Sequence, residues 1–338
     1  MAVTIHDIAR HAGVSVSTVS RVLNKRPDVR TETQEKVSRA IKELGYSPNI
    51  VARGLVLRKS NVIGFIVPDI MNPSFPELAR GVVNRAKEYG YSVMFFDTNH
   101  DSRVEKEAIR LLQSKQVDGI ILSFDEANKD ELEKLILERF PVVQIYRKSS
   151  RSAISTIAID NVASGYTATR FLMDRGHRRI GHITTGRNSQ SGHERLDGYR
   201  KALEEGGIPY DSELVAVGEN SADAGEVCMN RLLGLKDRPT AVFASHDLMA
   251  AGAYGAVYSA GLTIPGDISV VGHDNIQISR LLHPRLTTLD THKNRLGEAG
   301  VDLLMEEIRM AVPLNLERVF SAELVERGSV RALQAGTV

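Results

Sequence analysis

A single cysteine in 338 residues excludes an internal disulfide and leaves no cysteine set for a metal. Cys228 sits in the helical-looking stretch GEVCMNRLL and reads as a small core residue. So little thiol chemistry fits a reducing compartment, and a cytoplasmic location is expected. Long apolar runs are missing too. The N-terminal MAVTIHDIAR has no hydrophobic export segment, and the longest uncharged run, Leu248 to Gly266, is broken by Gly252, Gly255, Gly261 and Pro265. Neither a signal peptide nor a membrane span is expected. Catalytic signatures are absent as well: there is no G-x-S-x-G elbow, no GxxxxGK[ST] loop, no H-E-x-x-H and no G-x-G-x-x-G after a strand. His193, Glu194 and Arg195 look chemical, but a cleft histidine beside a binding arginine is more often a ligand contact than a catalyst. No enzyme, catalytic residue, cofactor or metal site is expected.

What is present is the composition of a globular protein, 42% hydrophobic and 25% charged, in a chain too long for one core. The formal net charge of +1 conceals an asymmetry. Residues 1–60 hold 11 Lys and Arg against 5 Asp and Glu, a net of +6, and the remainder carries −5. A small basic head on an acidic body is suited to meeting a polyanion.

The head reads as three helices. The first covers IHDIARHA and ends near Gly13, which can supply a tight turn. Ser15 is placed to cap the second helix, within VSVSTVSRVLN. There Val19, Val22 and Leu23 form one apolar stripe, and Val16, Ser17, Ser20, Arg21 and Asn24 project from the other side. The third opens on TETQ, where Thr31 and Gln34 are spaced as a capping box, and continues with Val37, Ile41 and Leu44 on one face. Two short helices joined at a glycine and braced by a third make a helix-turn-helix. On this reading Val16, Ser17 and Arg21 enter a major groove, where arginine can donate two hydrogen bonds to guanine. Ser15, Thr18, Ser20 and Asn24 donate to phosphates. The following YSPNIVARGLVLRKS is too short to be a stable helix alone. Leu55 there, with Arg53, Arg58 and Lys59 nearby, has the character of an apolar wedge for a minor-groove step; a plain interdomain linker would have the same residue types.

TIHDIARHAGVSVSTVSRVLN followed by ELGYSPNIVARGL resembles the DNA-binding head and hinge of the LacI/GalR repressor family, and the similarity runs along nearly the whole chain. The resemblance implies a homodimeric repressor on a pseudo-palindromic operator, with hinge contacts from Asn49, Ala52, Arg53 and the wedge Leu55. It divides the chain into a helix-turn-helix domain at 1–46, a hinge at 47–60 and an effector-binding core at 61–338.

From Asn61 onward short apolar strands alternate with amphipathic helices: VIGFIV, PELARGVVNRAKEYG, YSVMFF, EKEAIRLLQSK and VDGIIL. A second series runs through RRIGHIT, TAVFAS and ISVVG. The alternation predicts α/β lobes with parallel sheets covered on both faces. Ile63-Gly64, Gly81 and Gly90 recur 117 residues later as Ile180-Gly181, Gly198 and Gly207, which implies two similar lobes. These are expected at about 61–159 with 291–318, and at about 160–290 with 319–331. Ligands of such sheets bind beyond the carboxyl ends of the strands. The loops PDIMNPSF and TTGRNSQSGHERLDG, the latter with Ser189 and Ser191, then face each other across a cleft.

In the family this is a periplasmic-binding-protein-like core. The resemblance assigns Arg195, in the RLxGY motif, and Asp274, in GHDN, to effector hydroxyls or ring nitrogens, with Phe75 as an apolar contact. Three departures stand out: His246 replaces a frequent Asn, Tyr146 precedes Arg147 where Asp is common, and Asn220 occupies an often aromatic position. Loss of the aromatic argues against purine stacking. Arg147, Arg195 and His246 together favour a sugar acid or sugar phosphate over a plain sugar if all three face the ligand; the alternative is that Arg147 pairs with a neighbouring acid in the protein. Two other functions fit parts of the sequence. A transport-type sugar-binding protein is disfavoured by the basic head, and a repressor governed by a partner protein is disfavoured by Arg195 in HERLDGY. No leucine heptads follow Arg331, so a dimer is expected.

Overall fold

A computed structural model describes residues 3–23, 26–46, 59–123, 129–146, 154–186 and 189–333. They fall into two compact units, Met1–Asn61 and Val62–Val338.

In the first unit α1 (Ile5–Ala12), α2 (Val16–Leu23) and α3 (Thr31–Glu43) enclose Ile8, Ala9, Val19, Val37 and Ala40. A reciprocal cap starts α1. Thr4 Oγ1 accepts from the Asp7 amide at 3.4 Å, and the Asp7 carboxylate accepts from the Thr4 amide at 3.0 Å, so two backbone donors outside the helical ladder are satisfied. Ser15 Oγ accepts from the Thr18 amide at 3.1 Å and caps α2 as expected. The capping box expected at Thr31 and Gln34 is not formed. Thr31 already lies inside α3, whose N-cap is Arg30, and Gln34 Nε2 donates instead to the Val29 carbonyl at 2.9 Å.

The second unit contains two six-stranded sheets. The first is built from β1 (Val62–Val67), β2 (Ser92–Asp97), β3 (Gly119–Leu122), β4 (Val142–Ile145), β5 (Ser155–Ile159) and β11 (Glu317–Phe320), in the order β11-β5-β4-β3-β1-β2. The second uses β6 (Ile180–Thr185), β7 (Val215–Gly218), β8 (Ala241–Ala244), β9 (Ser269–Asp274), β10 (Thr287–Asp290) and β12 (Glu323–Val325), in the order β12-β10-β9-β8-β6-β7. The orders are the same element for element. All pairings are parallel except that β12 runs antiparallel to β10. Strands such as β3 and β8 are buried throughout, as continuous apolar runs covered on both faces must be.

Helices fill the faces: α4 (Ser74–Glu88), α5 (Ser102–Ser114) and α6 (Lys129–Leu137) in the first lobe, and α7 (Asn161–Asp174), α8 (Gln190–Glu205), α9 (Ala222–Leu233), α10 (Asp247–Ser259) and the short α11 (Ile278–Leu281) in the second. The chain crosses between lobes three times. After β5 it enters α7, which packs on α8; after β10 it enters α12 (Lys293–Met310), which packs on α4; and between β11 and β12 it crosses again. That last crossing follows Phe320, two residues later than the sequence boundary, because β11 pairs with β5 through Phe320.

The 117-residue echo has a packing cause. A Cβ on Gly81 would stand 2.2 Å from the carbonyl oxygen of Asn294 in α12, and one on Gly198 would stand 2.1 Å from that of Val162 in α7. Each glycine lets the incoming crossover helix approach backbone to backbone. Cys228 is buried in the second lobe's core, the role read from sequence. No helix among the described residues is long and apolar enough to cross a membrane.

Candidate functional site

In the head, the hydroxyls of Ser15, Ser17 and Thr18 cluster at the start of α2, with Ser15 Oγ 2.7 Å from Ser17 Oγ and 2.8 Å from Thr18 Oγ1. Ser15 and Ser17 are exposed, and Thr18 and Ser20 are half-buried. Arg21 is 63% exposed and faces Asp28 at 3.5 Å, a partner with no motif to announce it. Val16, expected on the exposed face, is half-buried and, like Val14, packs against the head core. Ser17 and Arg21 remain on the outer face. Asn24, Asn49, Ala52, Arg53 and Leu55, and in the body Arg147, lie outside the described residues.

In the core the second lobe supplies a chain of charged and polar groups. Arg195, on α8, is 4% exposed. Its Nε donates to Asn161 Oδ1 at 3.0 Å and its Nη1 to the Ser245 carbonyl at 2.5 Å. Asn161, the first residue of α7, is oriented in turn by Glu194 at 2.9 Å. Asp274 closes β9 with φ at 109°, a conformation that costs on the order of 1–3 kcal/mol and persists only where the surroundings enforce it. Its carboxylate accepts from His246 Nδ1 and from His273 Nδ1, each at 2.9 Å. Burial alone would raise the Asp274 carboxyl, but the two histidines hold it well below the usual carboxylate range. Burial, reinforced by Asp274, drives neighbouring Asp247 the other way. Asp247 accepts from Thr288 Oγ1 at 2.6 Å and from the Ile276 amide at 2.9 Å.

The first lobe meets this chain with an aromatic pair. Phe75 and Tyr146 lie edge to face, centroids 6.0 Å apart, and the Tyr146 hydroxyl is buried beside Asp274, Glu77 and Arg195, burial first and these carboxylates second raising its pKa. Lys293, at the start of α12, donates from Nζ to the Asp274 carbonyl and pairs with Glu77 of α4 at 3.3 Å. The sequence reading missed Lys293, which belongs to no motif, and missed His273, although GHDN contained it. Ser189 serves first as the cap of α8, accepting from the Gly192 amide at 3.1 Å, with Ser191 Oγ 3.2 Å away.

Buried polar atoms cluster there too. Ser123 Oγ, Tyr146 Oη, Thr185 Oγ1, Asn220 Oδ1 and Thr291 Oγ1 have no hydrogen-bond partner among the described residues. Each belongs to a residue at, or within two positions of, the carboxyl end of a strand: β3, β4, β6, β7 and β10. Unsatisfied buried polar groups cost about 1–3 kcal/mol each, so five at the same ends of two sheets mark a place suited to a polar partner. Among the described residues there is no group of metal-ligating side chains.

A helix-turn-helix joined in one chain to a two-lobed core with polar strand ends defines a ligand-responsive DNA-binding regulator. Residues 4–49 match the bacterial regulatory proteins of the lacI family, and residues 60–324 match the periplasmic binding proteins and sugar binding domain of the LacI family. The chain is 37% identical over 331 residues to the HTH-type transcriptional repressor PurR of Mannheimia succiniciproducens, covering 98% of this chain and 99% of the relative. It is 34% identical over 305 residues to catabolite control protein A of Priestia megaterium, covering 90% and 92%. A lac repressor dimer solved with operator and the anti-inducer ONPF matches with a TM-score of 0.87 at 28% identity, over 98% of this chain and 100% of that one. The chain belongs to the LacI family of transcriptional repressors.

Proposed function

We propose that the protein represses transcription as a homodimer on a pseudo-palindromic operator, and that a small hydroxyl-bearing ligand held between the lobes sets its operator affinity. The observation that carries the ligand half is the set of five polar atoms at the strand ends without a partner among the described residues, flanked by Arg195, His246 and Asp274 from one lobe and by Phe75 and Tyr146 from the other. Ser189, Ser191 and Asn220 border the same strand ends; Arg147 is carried over from the family pattern. The DNA half rests on the basic first 60 residues and on α2, with Ser17 and Arg21 reading bases and Ser15, Thr18 and Ser20 donating to phosphates. Leu55 is assigned as the minor-groove wedge from sequence. The relatives named above are repressors or control proteins, which supports regulation as the role.

A thermal-shift screen against neutral sugars, sugar acids and sugar phosphates tests the ligand half: a ligand at a hundred times its Kd stabilises by about 2.7 kcal/mol, and no shift from any class refutes the cleft. On the DNA side Arg21→Ala is expected to cost about 1–3 kcal/mol at the operator and to flatten discrimination at one base pair per half-site. A competition gel-shift in which Arg21→Ala keeps the full sequence preference would reassign the reading face.

A further inference from the structure

The contacts around His246 fix more than its position. Its Nδ1 lies 2.9 Å from Asp274 Oδ2, while the other Asp274 oxygen is held by His273 Nδ1. An ionised carboxylate only accepts, so both rings must carry their proton on Nδ1. In a neutral imidazole this leaves Nε2 as an acceptor. Arg195 does not use it in the ring plane. Arg195 Nη1 is 3.3 Å from Nδ1 and 3.4 Å from Nε2; in the plane, equal reach to both nitrogens would drive it into the carbon between them, so it lies over the ring's face. His273 is fully buried, whereas the His246 side chain keeps 13% of its surface. Of the two rings on Asp274, His246 is the one a ligand can reach.

The charges facing His246 balance. Arg195 approaches from α8 and Asp274 with neutral His273 from β9. Asp247, its neighbour, is fully buried and accepts from Thr288 Oγ1 and the Ile276 amide, and burial raises its carboxyl well above the usual range. From the first lobe come the neutral Tyr146 phenol after β4, and Lys293 of α12 already paired with Glu77 of α4. A second positive charge on His246 would sit against Arg195 in a buried setting, and burial together with Arg195 lowers the pKa of His246.

We propose that His246 is the specificity-determining residue of the cleft: a neutral imidazole, held as the Nδ1–H tautomer by Asp274, whose Nε2 accepts a hydrogen bond from a hydroxyl of an uncharged polyhydroxy ligand, so that ligand binding weakens on acidification. This rests on the cleft being the effector site. Among the described groups Arg195 and Lys293 balance Asp274 and Glu77, so the sugar-acid or sugar-phosphate expectation rests on Arg147, which lies outside the described residues. The sign follows from linkage. The ligand binds the neutral ring, so affinity is level above the ring's own midpoint and falls as pH drops through it.

Nuclear magnetic resonance of the full chain with 15N-labelled histidine, using His246→Asn to assign the signal, tests the tautomer without any ligand. The expected signal shows a protonated Nδ1 and a bare Nε2 at pH 7, with a midpoint below the ordinary histidine value near 6.5. An Nε2–H tautomer, or a midpoint above that value, overturns the proposal. Calorimetry with ribose, glucose and cellobiose at pH 7.5 and at the His246 midpoint found by resonance tests the ligand side. The tightest of the three should bind about twofold more weakly at that midpoint, and His246→Asn should bind it equally at both. An affinity that stays level or rises with acid in the unaltered chain, or a pH dependence that survives His246→Asn, overturns the assignment. No binding of any of the three, with the tautomer intact and a thermal shift from a sugar acid or sugar phosphate, overturns the uncharged-ligand assignment and leaves the cleft standing; no shift from any class overturns the cleft itself.

Discussion

The two lobes have the same strand order and the same clamp of a crossover helix against a glycine-bearing helix, and they differ in basic and imidazole groups. Around its strand ends the first lobe offers Phe75, Ser123 and Tyr146 with the carboxylates Asp69 and Asp97. The second offers Arg195, His246, Asp247 and Asp274, and its interior holds further histidines: His182, stacked between Tyr199 and Phe243, and His177 and His273, all with no exposed surface. Among the described residues between 62 and 159 the one histidine, His100, is exposed. The demands of the scaffold and those of the site are therefore separable: glycines and apolar strands repeat at a fixed offset, and ionisable groups do not.

Acid should expose that difference most strongly. Burial lowers His182 to about 4 and His273 to about 3. Both bind protons more readily unfolded, so the second lobe loses stability as pH falls from about 6.5 toward those values, by on the order of 3 kcal/mol for His182 alone. In the first lobe burial raises the Glu307 carboxyl, which accepts from Ser155 and from the amides of Val142 and Leu314. Its contribution is fully present in acid and lost as pH rises through the elevated folded value. Hydrogen exchange at pH 4.5 and 7, corrected for intrinsic rates, should show the second lobe losing protection while the first keeps it. Equal loss in both would break the comparison.

A smaller effect tests what the lobes share. Gly81→Ala and Gly198→Ala each push a methyl group into the backbone of a crossover helix, and each should cost about 1–3 kcal/mol with similar shifts in denaturant midpoint. If one were tolerated, the two clamps would not be equivalent. The smallest effect tests a local likeness. Ser189 Oγ accepts from the Gly192 amide at the start of α8, and Asn72, 117 residues earlier, accepts through Oδ1 from the Ser74 amide at 3.0 Å at the start of α4. Ser189→Ala and Asn72→Ala should each cost about 1 kcal/mol by thermal denaturation, and a negligible change in one alone would set the two helix starts apart.

Much of this architecture could be read from the residues. The period of apolar positions gave α2 and α3 in the head and alternating strands and helices in the body, and the 117-residue echo gave the two lobes. Reading failed where a neighbour outside the local sequence decided the outcome. Thr31 and Gln34 had the spacing of a capping box, but helix geometry had already begun at Thr31. Val16 had the position of an exposed residue, but it packs against the head core. At the site, Arg195 and Asp274 were legible through their motifs, whereas Lys293 was not, because its role depends on two partners, Glu77 and the Asp274 carbonyl, that lie far from it in sequence.

The sequence alone determined the helix-turn-helix, the paired α/β lobes and the placement of candidate binding groups at strand ends, because these follow from periodicity, glycine positions and local hydrogen bonding. Only the tertiary structure decided how the acidities of those groups diverge. The Asp274 carboxyl is held well below the usual carboxylate range and that of Asp247 is pushed well above it, because two imidazole donors reach the first and burial beside that charge acts on the second. A protonation state is set by what surrounds a group in three dimensions.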